Sequence, residues 1–139
     1  IEELERLEKE CFSTPWSFDA LVSELSNPLA VFRVAEIGGR VAGYVGMQHI
    51  VDEGYICNIA VFPQFRRLGV ATRLMETLDE YAKENDMASI SLEVRESNVS
   101  AQQFYDKFDF EVVGHRKNFY SNPTEDALIM TKTYGGIFS

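Results

Sequence analysis

The chain has 139 residues, 45% of them hydrophobic and 12% aromatic, and a formal net charge of −9. That length admits one domain with a real core, and the composition reads as a soluble globular protein. There is no apolar run of about 18 residues that would span a membrane and no signal-peptide pattern, so a cytoplasmic protein is expected. The acidic balance also disfavours a nucleic-acid partner, which requires a basic face.

In chain order, "IEELERLEKECF" sets Leu4, Leu7, Cys11 and Phe12 at helical spacing. The chain opens inside this helix without a methionine, which suggests that a short N-terminal piece, a first strand, is missing. After a break at Ser13–Trp16, Ser17 is placed to cap a second helix that ends near Asn27-Pro28. Three strand-like runs follow: "AVFRVAEI", "VAGYVGMQHIV" and "YICNIAVF". A Gly38-Gly39 turn and an Asp52–Gly54 turn join them into an antiparallel meander. Past Gly69 the period changes, and Val70, Ala71, Leu74, Met75, Leu78, Tyr81 and Ala82 form one helical stripe. "ASISLEVR" is then a strand, Asn98 to Lys107 a short helix, and "FEVVGHRKNFY" and "DALIMTKTY" two closing strands. The order predicts a single mixed α/β domain over residues 1–139 with a largely antiparallel sheet.

Cys11 and Cys57 lie far apart, as do His49 and His115, and none has metal-ligand spacing. Reduced, buried thiols and no metal are the expectation.

The stretch "VFPQFRRLGVATRLM" puts Arg66, Arg67, Leu68 and Gly69 between a strand and a helix that begins Val70-Ala71-Thr72. Main-chain N–H groups at a helix start are unpaired, and the helix dipole adds positive potential, so a pyrophosphate can dock there. Gly69 and slim Ala71 let it approach, and the arginines add charge. A plain tight turn with solvated arginines accounts for the loop equally well. The loop lacks the Gly-Lys-Ser/Thr ending of a Walker A motif and the three glycines of a dinucleotide fingerprint.

Arg-x-x-Gly-x-Ala after Ile59-Ala60-Val61-Phe62-Pro63 resembles the acetyl-CoA pyrophosphate loop of the GCN5-related N-acetyltransferase (GNAT) superfamily. "CFSTPWS", "LEVRESNVSAQQFY", "RKNFY" and "DALIM" extend the resemblance over nearly the whole chain, toward the RimI-type protein N-terminal acetyltransferases. The resemblance implies the GNAT fold, a central sheet flanked by helices on both faces. It implies acetyl transfer from acetyl-CoA to the N-terminal alanine of a small-subunit ribosomal protein. Where the family usually has Leu-Gly-Phe or Met-Gly-Phe, this chain has Phe108-Asp109-Phe110.

Such a reaction needs a neutral amine, donors for an oxyanion and a proton for the thiolate. An α-amine near pKa 7.8 is roughly 10–15% neutral at pH 7, against about 0.04% for a lysine. In "SISLEVR" the polar face of Ser89, Ser91, Glu93 and Arg95 suggests a cleft, where a strand between helices is usually apolar on both sides. Glu93 could equally pair with Arg95 or solvent. The resemblance makes Glu93 the proton acceptor and Tyr105 the general acid, although Tyr105 also reads as a core aromatic beside Phe104 and Phe108. It further implies that Ile59, Ala60, Val61, Arg66, Arg67, Leu68, Gly69, Val70, Ala71, Thr72 and Asn98 hold the cofactor. Asn98 is also placed to cap its helix. Trp16, Arg116, Asn118 and Tyr120 border the peptide groove in similar enzymes, and Asn58 is a further candidate facing the substrate; each could instead be structural. Two alternatives stay open: acetylation of a lysine or small amine, and an acyl-CoA-binding module without turnover.

Overall fold

The computed structural model describes Arg6 and residues 28–66, 68–121 and 123–134. The two helices expected before residue 28, together with Trp16 and Arg67, lie outside the described residues. Among the described residues, six strands form one sheet in the order β1-β2-β3-β4-β6-β5. They are β1 (Ala30–Ile37), β2 (Arg40–Ile50), β3 (Glu53–Val61), β4 (Ser89–Arg95), β5 (Glu111–Tyr120) and β6 (Glu125–Thr133). Two helices interrupt them, α1 (Val70–Glu84) after β3 and α2 (Val99–Asp106) after β4.

The predicted meander forms because its turns suit it. Gly38 and Gly39 take φ of +61° and +78°, the left-handed pair that a two-residue hairpin turn requires. The second turn is less well matched, since Val51 has φ +58°. A β-branched residue in that region is strained, and 89% exposure leaves Val51 little packing in return. The Val51→Gly variant should therefore gain about 0.5–1 kcal/mol, after allowing for the extra freedom of the unfolded chain. Thermal denaturation should show a rise of about 2–4 °C; a fall would mean that Val51 is not strained.

All pairings are antiparallel except β3 with β4. These two run parallel and pair at only three positions: Glu53↔Ser89, Gly54↔Ile90 and Tyr55↔Ser91. Beyond Tyr55, β3 stays with β2 as far as Val61↔Gly43, while β4 stays with β6 as far as Arg95↔Ala127. The register of β2 with β3 jumps from Gly46↔Asn58 to Met47↔Ile56 and leaves Cys57 as an extra residue in β3. Such a bulge bends its strand, here at the point where β3 parts from β4. The sheet is thus split into two leaves.

One face of the sheet carries α1. Its buried stripe of Val70, Leu74, Met75, Leu78 and Ala82 joins Val45, Met47, Ile90, Leu92 and Met130 in the main core, which also takes in Tyr105 of α2. Lys132 of β6 holds both oxygens of Asp79 at 3.0 Å and fastens α1 to the second leaf. On the opposite face a smaller cluster gathers Tyr44, Ala60 and Phe62, with the Arg6 guanidinium 5.0 Å from the centre of the Phe62 ring.

Candidate active site

Two groups of residues lie along the separating leaves, one on each face of the sheet. The first is the turn into α1. Gly69 is the N-cap, with φ +78° and ψ +13°. Its conformation alone demands glycine, so the tight-turn reading holds, and a Cβ placed there would point into open space. Gly69 also helps line a pocket of about 240 Å³, together with Val61, Phe65, Arg66, Val70, Ala71, Thr72 and Phe104. Six of the residues expected at the cofactor therefore share one wall. The Nε of Arg66 donates to the Val61 carbonyl at 3.3 Å, bracing the loop. Leu68 is exposed on the same turn, and Ile59 and Ala60 precede Val61 along the edge of the split.

The cradle fits a diphosphate: the first N–H groups of α1 have no partner within the helix, and the dipole of a 15-residue helix favours an anion at its mouth. The variant Gly69→Leu should raise the acetyl-CoA Kd by about tenfold or more, because the added side chain fills the pocket. It should also cost about 1–2 kcal/mol of stability through the positive φ. Calorimetry checks this; an unchanged Kd would remove the turn from cofactor binding.

The second group is on the face away from α1. Along β4, Ile90, Leu92 and Val94 are buried toward α1, while Ser89, Ser91, Glu93 and Arg95 take the other side as predicted. The Glu93 side chain is only 5% exposed. It accepts a short hydrogen bond from the Tyr55 hydroxyl and meets the Nε of Arg116 at 3.2 Å. Its partners are thus Tyr55 and Arg116; Arg95 pairs with Glu125 instead, at 3.2 Å. Sequence reading missed Tyr55. The signal lies in the parallel register, which sets Tyr55 beside Ser91, on the same face as Glu93 and two residues from it. Burial, and then the hydrogen bond and charge of Glu93, push the Tyr55 phenol well above its usual pKa, so it remains a donor.

Tyr105 is buried, with its ring 5.8 Å from that of Phe110. Burial and then Tyr120 raise its pKa far above the ordinary phenol value. Tyr120 is in turn pushed up to about 12, by burial first and the Glu93 charge second. These couplings link Tyr105, Tyr120 and Glu93 as electrostatic neighbours.

The remaining candidates have structural roles in the described contacts. Asn98 caps α2 and accepts from the Ala101 N–H at 3.1 Å. Asn58 donates to the Tyr44 hydroxyl at 3.2 Å, on the face that Glu93 shares. Asn118 has φ +54°, in a stretch where β5 leaves register with β6, and its N–H donates to Asp126 at 2.8 Å. His115, isolated in the sequence, meets Asp126 at 3.1 Å and Glu96 at 3.3 Å. These are ordinary ion-pair distances on an exposed surface.

Residues 1–110 match the acetyltransferase (GNAT) family. The chain belongs to this family. GNAT relatives resemble it over almost its full length. A Bacillus subtilis protein provisionally named a ribosomal protein bS18-alanine N-acetyltransferase is 40% identical over 96% of this chain and 89% of its own. The crystal structure of the ribosomal-protein-S18-alanine N-acetyltransferase of Escherichia coli superposes with a TM-score of 0.90 at 28% identity, covering 97% of this chain and 89% of that one. An acetyltransferase of Bacillus anthracis, provisionally assigned to streptothricin and solved with acetyl coenzyme A, reaches 0.72 at 27% identity, covering 82% of this chain and 68% of that one. The expected GNAT fold is therefore borne out, and acetyl-CoA is the acetyl donor of the family.

Proposed function

We propose that this GNAT domain, acting as one catalytic unit, transfers acetyl from acetyl-CoA to the N-terminal alanine α-amine of a small-subunit ribosomal protein of the bS18 type. A ribosomal acceptor sets the reaction in the cytoplasm. The observation that carries the reading is the nearly buried Glu93 carboxylate on β4, at the split beyond which the cofactor pocket opens. Full-length similarity to enzymes named for the bS18 alanine supports the choice of acceptor.

In this reading the turn from Arg66 to Ala71 holds the diphosphate, and the pantetheine arm runs along Ile59 to Val61, toward the split. The acceptor amine enters on the face that bears Glu93. As its lone pair attacks the thioester carbonyl, the ammonium proton passes toward Glu93, through water where the reach requires it. The carbon–sulfur bond then breaks, giving the amide and the coenzyme A thiolate. Tyr105 donates a hydrogen bond toward that sulfur. A phenol held above its ordinary pKa is a poor source of a fully transferred proton to a thiolate near 8.5, so stabilising the sulfur is its main contribution. Tyr55 and Arg116 hold the Glu93 carboxylate in place.

The likeness to the Bacillus anthracis enzyme supports a second reading, a small-molecule amine as acceptor. Two peptides separate the cases. One begins with a free alanine and contains no lysine; the other has a blocked N-terminus and a free lysine. The proposal expects rapid acetylation of the first and none of the second. Comparable rates on both would refute the α-amine assignment, and failure on both would favour the small-molecule reading.

A further inference from the structure

We propose that Arg95 is a positioning residue: it fixes the acceptor side of the site by holding Tyr120 and the turn after it against the sheet. The inference rests on the acyl-transfer reading above and deepens it.

Arg95 ends β4, two residues beyond Glu93 and on the same face, opposite Ala127 of β6 as Glu93 is opposite Ile129. Nη1 donates to the Pro123 carbonyl at 3.0 Å and to Oε1 of Glu125 at 3.2 Å, while Nη2 donates to the Ser121 carbonyl at 3.0 Å. The guanidinium lies 4.5 Å from the centre of the Tyr120 ring. The second oxygen of Glu125 accepts from the Ser97 N–H at 2.6 Å. One side chain therefore ties the last residue of β5, the turn after it and the start of β6 to the end of β4.

The stretch has a particular need for such a tie. Between Arg116↔Ala127 and Tyr120↔Glu125 the β5–β6 register breaks, so the ladder does not guide β5 into Tyr120. Arg95 supplies from the side what the ladder leaves out. The pair with Glu125 is well shielded, with side chains 22% and 19% exposed, which limits screening. Only an arginine suits the place: its planar fork serves several acceptors at once while its flat face stacks on a ring, and a lysine can do just one of these at a time. The consequence reaches the site through Tyr120, whose phenol feels the Glu93 charge and influences Tyr105. Any acceptor approaching Glu93 meets the wall that Arg95 sets.

Arg95→Gln and Arg95→Lys, assayed with the alanine peptide, test this. Both variants should raise the KM for the acceptor by about tenfold or more and leave the KM for acetyl-CoA within about twofold. Both should also speed amide hydrogen exchange over residues 119–125 relative to β1 and β2. The lysine variant keeps the charge and carries the test if the glutamine variant folds poorly. Three results overturn the proposal: an unchanged acceptor KM, full rescue by lysine, or a parallel rise of both KM values. The kinetics use whichever amine the wild type acetylates. A wild type that prefers a lysine would thus defeat the α-amine reading, while the KM split would still judge Arg95.

Discussion

Glu93→Gln is expected to lower turnover by about 10²–10³-fold while leaving acetyl-CoA affinity within about twofold. Glutamine has nearly the same shape and can still accept from the Tyr55 hydroxyl, so the local packing survives. It cannot take a proton from the acceptor amine. Arg116 loses its anionic partner, but its side chain is 57% exposed and can turn to water, so the stability cost should stay near about 1 kcal/mol. The proposed diphosphate site is another part of the chain, the residues around Gly69, which is why affinity should not move. Steady-state kinetics beside calorimetry separates the two quantities. Wild-type turnover in the variant would leave Glu93 as a structural partner of Tyr55 and Arg116 and nothing more.

The second large effect is expected from Tyr105→Phe, a loss of about 10²-fold in turnover with little change in the KM for either substrate. The ring stays, and with it the contacts to Phe104 and Phe110, so the core should tolerate the change. What goes is the one hydroxyl aimed at the departing sulfur in the proposed reaction. The raised pKa adds a pH signature. Because burial and Tyr120 hold the proton on Tyr105, its titration should impose no alkaline limb on wild-type turnover below about pH 10. A thiol ester with a better leaving group should lose less than acetyl-CoA does when the hydroxyl is removed. Equal losses with both would take Tyr105 out of the leaving-group step.

How much of this was legible in the sequence depended on range. Period-2 and period-3.6 patterns located the six strands and the helices α1 and α2, and the Gly38-Gly39 pair marked its hairpin, because those signals are local. At Phe108-Asp109-Phe110 the step is local as well: Asp109 has φ +70°, a left-handed geometry that aspartate tolerates better than most residues. The polar face of β4 suggested a cleft, and on that face the Glu93 side chain is 5% exposed. What surrounds Glu93 was not legible. Tyr55 comes from a parallel neighbour, and no hairpin length fixes the register of a parallel pair. The split between β3 and β4 depends on one extra residue, Cys57, that no composition signal marks. The pairing of Arg95 with Glu125 closes over 30 residues, beyond the reach of the local alternative that set Glu93 against Arg95 or solvent. Gly69 shows the opposite lesson, since a backbone requirement and a binding role predict the same residue there.

The most direct measurement is a crystal structure of the chain with acetyl-CoA. The diphosphate is expected within hydrogen-bonding distance of main-chain N–H groups between residues 68 and 72, with the acetyl group lying in the split near Glu93. A diphosphate bound anywhere else, with that turn left to solvent, would contradict it.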